Sequence, residues 1–156
     1  MSSLQSIELS VTINSKIGQL RDDACEKINE IEVWLNNILN QTEKGSRIKK
    51  ERCEICYSRE EPTLLELHHV AGRKHDFRTI TSCKKCHIEL SNIQKIGDSR
   101  WYVCNLPEGL RMGFFLLGLH HILLLKAKKT GNSAYEELAI KWIEDISKLL
   151  RSATND

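Results

Sequence analysis

Apolar residues recur at Ile17, Leu20, Ala24, Ile28, Ile31, Leu35 and Ile38, in steps of three or four that lay them along one face of a helix running from Lys16 to Gln41. Upstream, Ile7, Leu9, Val11 and Ile13 alternate with polar neighbours as a strand does. Leu9 and Ile13 also prolong the helical stripe, and the whole pattern is read as one long helix. The polar stretch Gln41–Glu51, which contains Gly45, then marks the passage into a different kind of structure. From Cys53 to Asn92 no helical period is sustained until the last part. The β-rich pieces Thr63–Val70 and Phe77–Thr81 predict two strands, with one short helix after them.

Beyond Trp101, Asn105 is a candidate N-cap and Pro107 suits a first helical turn; apolar residues continue to Leu125 and Gly131 stops the helix. Ser133 and Glu136 stand at capping-box spacing ahead of a last amphipathic helix, whose face carries Tyr135, Leu138, Ala139, Trp142, Ile143, Ile146, Leu149 and Leu150. Gly109 and Gly113 have the spacing of small residues at close helix contacts. The expected class is α+β and mostly helical, in three parts: an N-terminal helical extension over 1–45, a small cysteine-bearing unit over 46–100, and a C-terminal helical hairpin over 101–156. The central unit is too small to cover the apolar stripes of the helices. They must pack on one another or on a second copy of the chain, so a homodimer is an open expectation.

Composition alters this picture little. The net charge is +2, which by itself gives no reason to expect a polyanionic partner. Its distribution is more telling, because Ser46–Arg100 holds 12 Lys/Arg against 8 Asp/Glu. The basic residues cluster as Arg47, Lys49, Lys50 and Arg52, then Arg73, Lys74 and Arg78, then Lys84 and Lys85. That is the footprint expected of a phosphate-binding surface, although a solvated face would look the same. Met1–Ser10 has no Lys or Arg and no unbroken apolar core, so no secretory signal is expected and the chain is placed in the cytoplasm. The longest apolar stretch, Met112–Leu125, has 14 residues with two histidines among them. It falls short of the ~20 residues of a spanning helix and is read as a buried or partner-facing helix rather than a membrane segment.

Chemistry concentrates at the cysteines. Cys53 with Cys56 and Cys83 with Cys86 form two CxxC pairs separated by 26 residues. Two such knuckles offer four thiolates tetrahedrally to one ion, and structural Zn²⁺ is the expected occupant. Disulfides are disfavoured in a reducing compartment, and no thioredoxin-like pattern surrounds either pair. Cys25 and Cys104 fall outside the pattern and are expected to be buried free thiols. His75 sits between Lys74 and Asp76 in a loop expected to be exposed, while His120 and His121 are expected in a helical core or interface.

Around the cysteines the chain reads CEIC, then LLELHHVAGRKHDFRTITSCKKCH. Over Cys53–Asn92 this order resembles the HNH endonuclease family, whose fold is a ββα-metal unit. The resemblance implies that the pair His68 and His69 closes the first strand, with His68 a ligand of a catalytic divalent cation (Mg²⁺, Mn²⁺ or Zn²⁺) and His69 the general base. It also implies that His87, directly after the second CxxC, is the other ligand. Arg78 stands where the family has a middle Asn that braces the loop between the strands, and Ser91 stands where some members carry a further histidine. The implied function is hydrolysis of nucleic-acid phosphodiester bonds, DNA more than RNA, with Arg73, Lys74, Arg78, Lys84 and Lys85 against the phosphates. The alternative is a zinc module that binds nucleic acid or protein without catalysis.

Overall fold

The helical stripe at the start of the chain is divided between two helices. The computed structural model describes residues 3–20, 25–42 and 49–152, with α1 at Ser3–Leu20 and α2 at Cys25–Leu39. The expected single helix is thereby corrected. Ile7, Ser10 and Val11 near the start of α1 line one small cavity with Leu39 and Asn40 at the end of α2, so the two helices lie side by side and antiparallel. The stripe explains the reversal: Leu9, Ile13 and Ile17 on α1 and Ile28, Ile31, Leu35 and Ile38 on α2 are all buried in one core, which a straight rod would have left in water. Leu20, Ala24, Gly45 and Arg47, to which the sequence also pointed, lie outside the residues whose side chains are described, as does the side chain of Cys25.

Two strands follow, β1 at Leu65–His69 and β2 at Thr79–Cys83, antiparallel with Leu65 opposite Cys83 and His69 opposite Thr79. Helix α3, Lys84–Ile96, starts directly from β2 with Cys83 as its N-cap. The strands therefore fall where the β-rich pieces predicted them, and the unit has the order strand, strand, helix.

The C-terminal part is built on α4, Glu108–Thr130, which contacts α3, α5 (Ser133–Lys141) and α6 (Ile143–Ser152). By length and composition α4 would suffice to cross a membrane, and 67% of its apolar window is buried inside the protein. Gly131 ends it in the left-handed region at φ 71°, its N–H closing on Ala127 O at 2.8 Å. The caps differ from expectation at two points. Pro107, not Asn105, precedes the first turn of α4, and Asn132 rather than Ser133 caps α5, its side chain accepting from Ala134 N at 3.1 Å. The expected single last helix is also corrected: it breaks at Trp142, which is fully buried between α5 and α6.

Two glycines of α4 set how closely its neighbours approach. A Cβ on Gly118 would lie 1.8 Å from Val70 O, so the helix backbone presses directly on the chain leaving β1. One on Gly113 would meet Leu150 Cδ2 at 2.9 Å, which is how α6 reaches α4.

Candidate functional site

The first cysteine knuckle is a turn of backbone around two thiols. Tyr57 N donates to Cys53 O at 3.0 Å, Cys53 N to Ser58 O at 3.0 Å, and Glu54 N to Thr81 O at 2.8 Å, which docks the turn on β2. Tyr57 takes φ 60°, a left-handed conformation that a side chain normally disfavours. The second knuckle is the junction of β2 with α3, where Cys83 ends the strand and Cys86 lies in the first helical turn. The sulfurs of Cys53, Cys56, Cys83 and Cys86 all lie within 4.8 Å of one another.

That arrangement suits a tetrahedral ion. Zn–S bonds of about 2.3 Å set the sulfurs of a tetrahedral site about 3.8 Å apart, and Cys56 Sγ and Cys83 Sγ stand 3.8 Å apart. The thiols are free rather than disulfide-bonded, and three of the four are buried. Their ionisation is strongly split: hydrogen bonding from Cys86 brings Cys53 down to about 4, whereas Cys86 is driven up, first by that same bond and then by burial. Holding all four as thiolates at this spacing would take a cation among them.

Beside the cluster is a histidine face. Glu66 and His68 point to the same side of β1, and α3 brings His87 over them. The His68 and His87 rings are 5.3 Å apart at 79°. Two imidazoles sharing one cation at about 2.1 Å would place their ring centres about 5 Å apart. His87 Nδ1 pairs with Glu66 Oε2 at 2.8 Å, which leaves Nε2 as its other coordinating atom. Gln94, seven residues further along α3 and so on the same helix face, donates its amide to His68 Nε2 at 3.3 Å. His68 is buried and is held neutral, down to about 3, by burial first and then by the proximity of His87 and His69. His69 is the last residue of β1 and half-buried; Gly72 N donates to its carbonyl at 3.1 Å as the chain turns away.

Among the described residues the four cysteines form the only group of three or more His, Cys, Asp or Glu donors that close. On the histidine face the structure brings together His68 and His87 with Glu66 and Gln94. Glu66 and Gln94 were missed from sequence, although Glu66 stands two residues before His68 and Gln94 seven after His87, spacings that share a strand face and a helix face respectively.

The cationic residues divide. Arg73, Lys74, Lys84 and Lys85 are exposed, with Lys74 Nζ donating to Tyr102 O at 3.0 Å. Arg78 does not belong with them. It is 2% exposed, donates Nε to Asp76 Oδ1 at 2.8 Å and Nη2 to Asp76 Oδ2 at 2.9 Å, and lies 3.9 Å over the Phe115 ring of α4. The expected phosphate contact is therefore corrected: the guanidinium is consumed inside the protein and braces the loop between the strands, where Arg78 O also accepts from Val70 N at 3.0 Å. His75 is likewise buried, stacked on Phe114 at 5.1 Å, and not exposed as expected. Cys104 is the reverse, an exposed thiol. His120 bonds Ala139 O at 2.9 Å and His121 stacks on Trp101, so both serve the helical core as expected.

No protein-family model, curated protein or solved structure matches this chain.

Proposed function

We propose that the chain is an HNH-type, metal-dependent nuclease that hydrolyses phosphodiester bonds of nucleic acid, DNA in preference to RNA, on a unit stapled by structural zinc at Cys53, Cys56, Cys83 and Cys86. The observation that carries the reading is the pairing of His68 and His87 across the strand–helix junction at a ring separation of 5.3 Å. His68 and His87 would hold Mg²⁺, Mn²⁺ or Zn²⁺, which supplies stabilisation of the negative charge on the phosphate and on the leaving oxygen.

The protein's own groups do the rest. His69, half-buried at the end of β1, takes the proton from the attacking water. Glu66 fixes the ring of His87 and its tautomer through the 2.8 Å bond at Nδ1. Arg78 with Asp76 holds the loop that leaves His69, in place of the family's asparagine. Arg73, Lys74, Lys84 and Lys85, all exposed, provide the cationic surface for the backbone phosphates.

The test is incubation of the zinc-loaded chain with plasmid, linear duplex, single-stranded DNA and RNA, each with Mg²⁺, Mn²⁺ or Ni²⁺. Nicking that His69→Ala reduces by about 10² or more, as for loss of a general base, supports the reading. Absence of cleavage in every combination, or equal cleavage by the variant, removes the enzyme. Salt-sensitive binding without cleavage would leave the non-catalytic zinc module.

A further inference from the structure

A second cleft lies between α2 and the first cysteine knuckle, and the histidine face contributes no residue to it. Its volume is about 470 Å³, within the range of small-molecule sites. Asn29, Val33 and Asn37 line it from one face of α2, at steps of four that repeat amide, methyls, amide along the helix. Glu30 and Trp34 of the same helix, with Glu54, Tyr57 and Lys126, complete that wall. Lys50 and Arg52 also line the cleft, and both are exposed.

One part of the Tyr57 ring covers the Lys126 ammonium at 4.2 Å, and its hydroxyl donates to Glu30 and lies 3.3 Å from the Tyr135 hydroxyl. Tyr57 is still 38% exposed, and Val33, which lines the same cleft, is 61% exposed. These are two large apolar surfaces left facing a cleft. The left-handed backbone of Tyr57 costs free energy that glycine would avoid.

The charges define what fits. Glu54 accepts from Trp34 Nε1 at 3.2 Å, Thr81 N at 2.6 Å and Lys50, and Glu30 accepts from the Tyr57 hydroxyl. Lys126 is turned inward to Glu54 O and its aromatic surround. Arg52 makes no ion pair among the described residues, which leaves the lining with three cations against two carboxylates and one exposed cation uncompensated. A ligand complementary to this lining has a flat face for Tyr57 and Val33, a hydrogen-bonding edge for the two amides, and one anionic group for Arg52. We infer that the cleft binds a mononucleotide-like ligand, its base against Tyr57 and Val33 and its phosphate at Arg52.

The inference is independent of the nuclease reading, and its test keeps the two apart. The zinc-loaded full chain carrying His87→Ala, which removes the histidine face as a phosphate site, is titrated calorimetrically with nucleoside monophosphates, the corresponding nucleosides and inorganic phosphate, without added divalent cation. Saturable binding of at least one monophosphate is expected, with a dissociation constant below about 1 mM and tighter than its nucleoside or phosphate alone. Arg52→Glu is expected to weaken the monophosphate about tenfold or more and to change nucleoside binding little, as for loss of a charged hydrogen bond. Val33→Trp is expected to abolish both by filling the cleft. Both positions are exposed, and retained zinc content with an unchanged circular dichroism spectrum confirms that the variants fold. No binding by any monophosphate, phosphate binding as tight as the nucleotides, or full binding by Val33→Trp would each overturn the assignment.

Discussion

The cysteine cluster and the histidine face share one strand–strand–helix unit, yet they are assembled in different ways. Each cysteine pair is set by a turn of its own backbone, and the two turns are joined by Glu54 N donating to Thr81 O at 2.8 Å. The histidine face depends on register instead. His68 meets His87 because Cys83 pairs with Leu65 and α3 starts at once, so that a helix turn passes over the strand face carrying Glu66 and His68. A site made by local turns is robust and chemically complete; one made by register can be shifted by any change in how the loop after His69 is seated.

The largest expected effect comes from breaking the cysteine side. Cys86→Ser, or strong chelation, should lose zinc and the tertiary signal of the central unit together, since structural zinc contributes about 10 to 16 kcal/mol in such sites. His87→Ala should keep both, as read by metal content and near-ultraviolet circular dichroism. A His87→Ala chain that also sheds its zinc would erase the contrast.

Next comes the seat of the loop. Arg78→Met leaves Asp76 charged and buried without its partner, and a loss of about 3 to 5 kcal/mol in chemical denaturation is expected. Gly118→Ala forces α4 away from Val70 O and should cost about 3 kcal/mol. In both variants the isolated knuckles should still bind zinc while cleavage falls more than stability does. Unchanged denaturation midpoints would show that the loop does not bear on the helical core.

A smaller effect concerns acid. The neutral form of His68 is favoured in the folded protein, so protonation favours the unfolded chain. Its contribution is therefore complete above the unfolded value of about 6.5, and it is lost as pH falls from there toward about 3. Subtracting the stability profile of His68→Leu from that of the parent should isolate this slope, because the cysteines titrate in both. A flat difference profile would contradict it. The smallest expected change is Glu66→Gln, which weakens a half-exposed hydrogen bond worth about 1 kcal/mol but should lower cleavage measurably if the carboxylate orients His87.

What could be read from sequence follows the same division. The CxxC pairs were legible because a ligand spacing of two residues is a property of the local chain, and so were the strands, the strand–helix order and the apolar stripes. The inward turn of Arg78 was not. It needs Asp76 two residues before it and Phe115 from a helix far along the chain, and a basic residue among basic neighbours gives no sign of either. His75 was hidden for the same reason, since its cover is Phe114. The helix breaks were hidden because a stripe of period 3.6 continues through a reversal or a kink as readily as through a straight helix, and only the core it packs on distinguishes them. Glu66 and Gln94 are visible in hindsight as face-sharing spacings, but they belong to no sequence signature of their own.

Lys126 ties these parts together. Its ammonium donates to the carbonyl of Glu54, the neighbour of Cys53, from a helix position 72 residues away, and the rings of Trp34, Tyr57 and Tyr135 surround it. Burial pulls this ammonium down to about 8, and the carboxylates of Glu30 and Glu54, then the Cys53 thiol, draw it back up. If the sulfurs were protonated, the lysine would lose one of the negative groups that hold its charge in the interior. A change at the cysteines would then be felt at the junction of α2, α4 and α5 as well as at the knuckles.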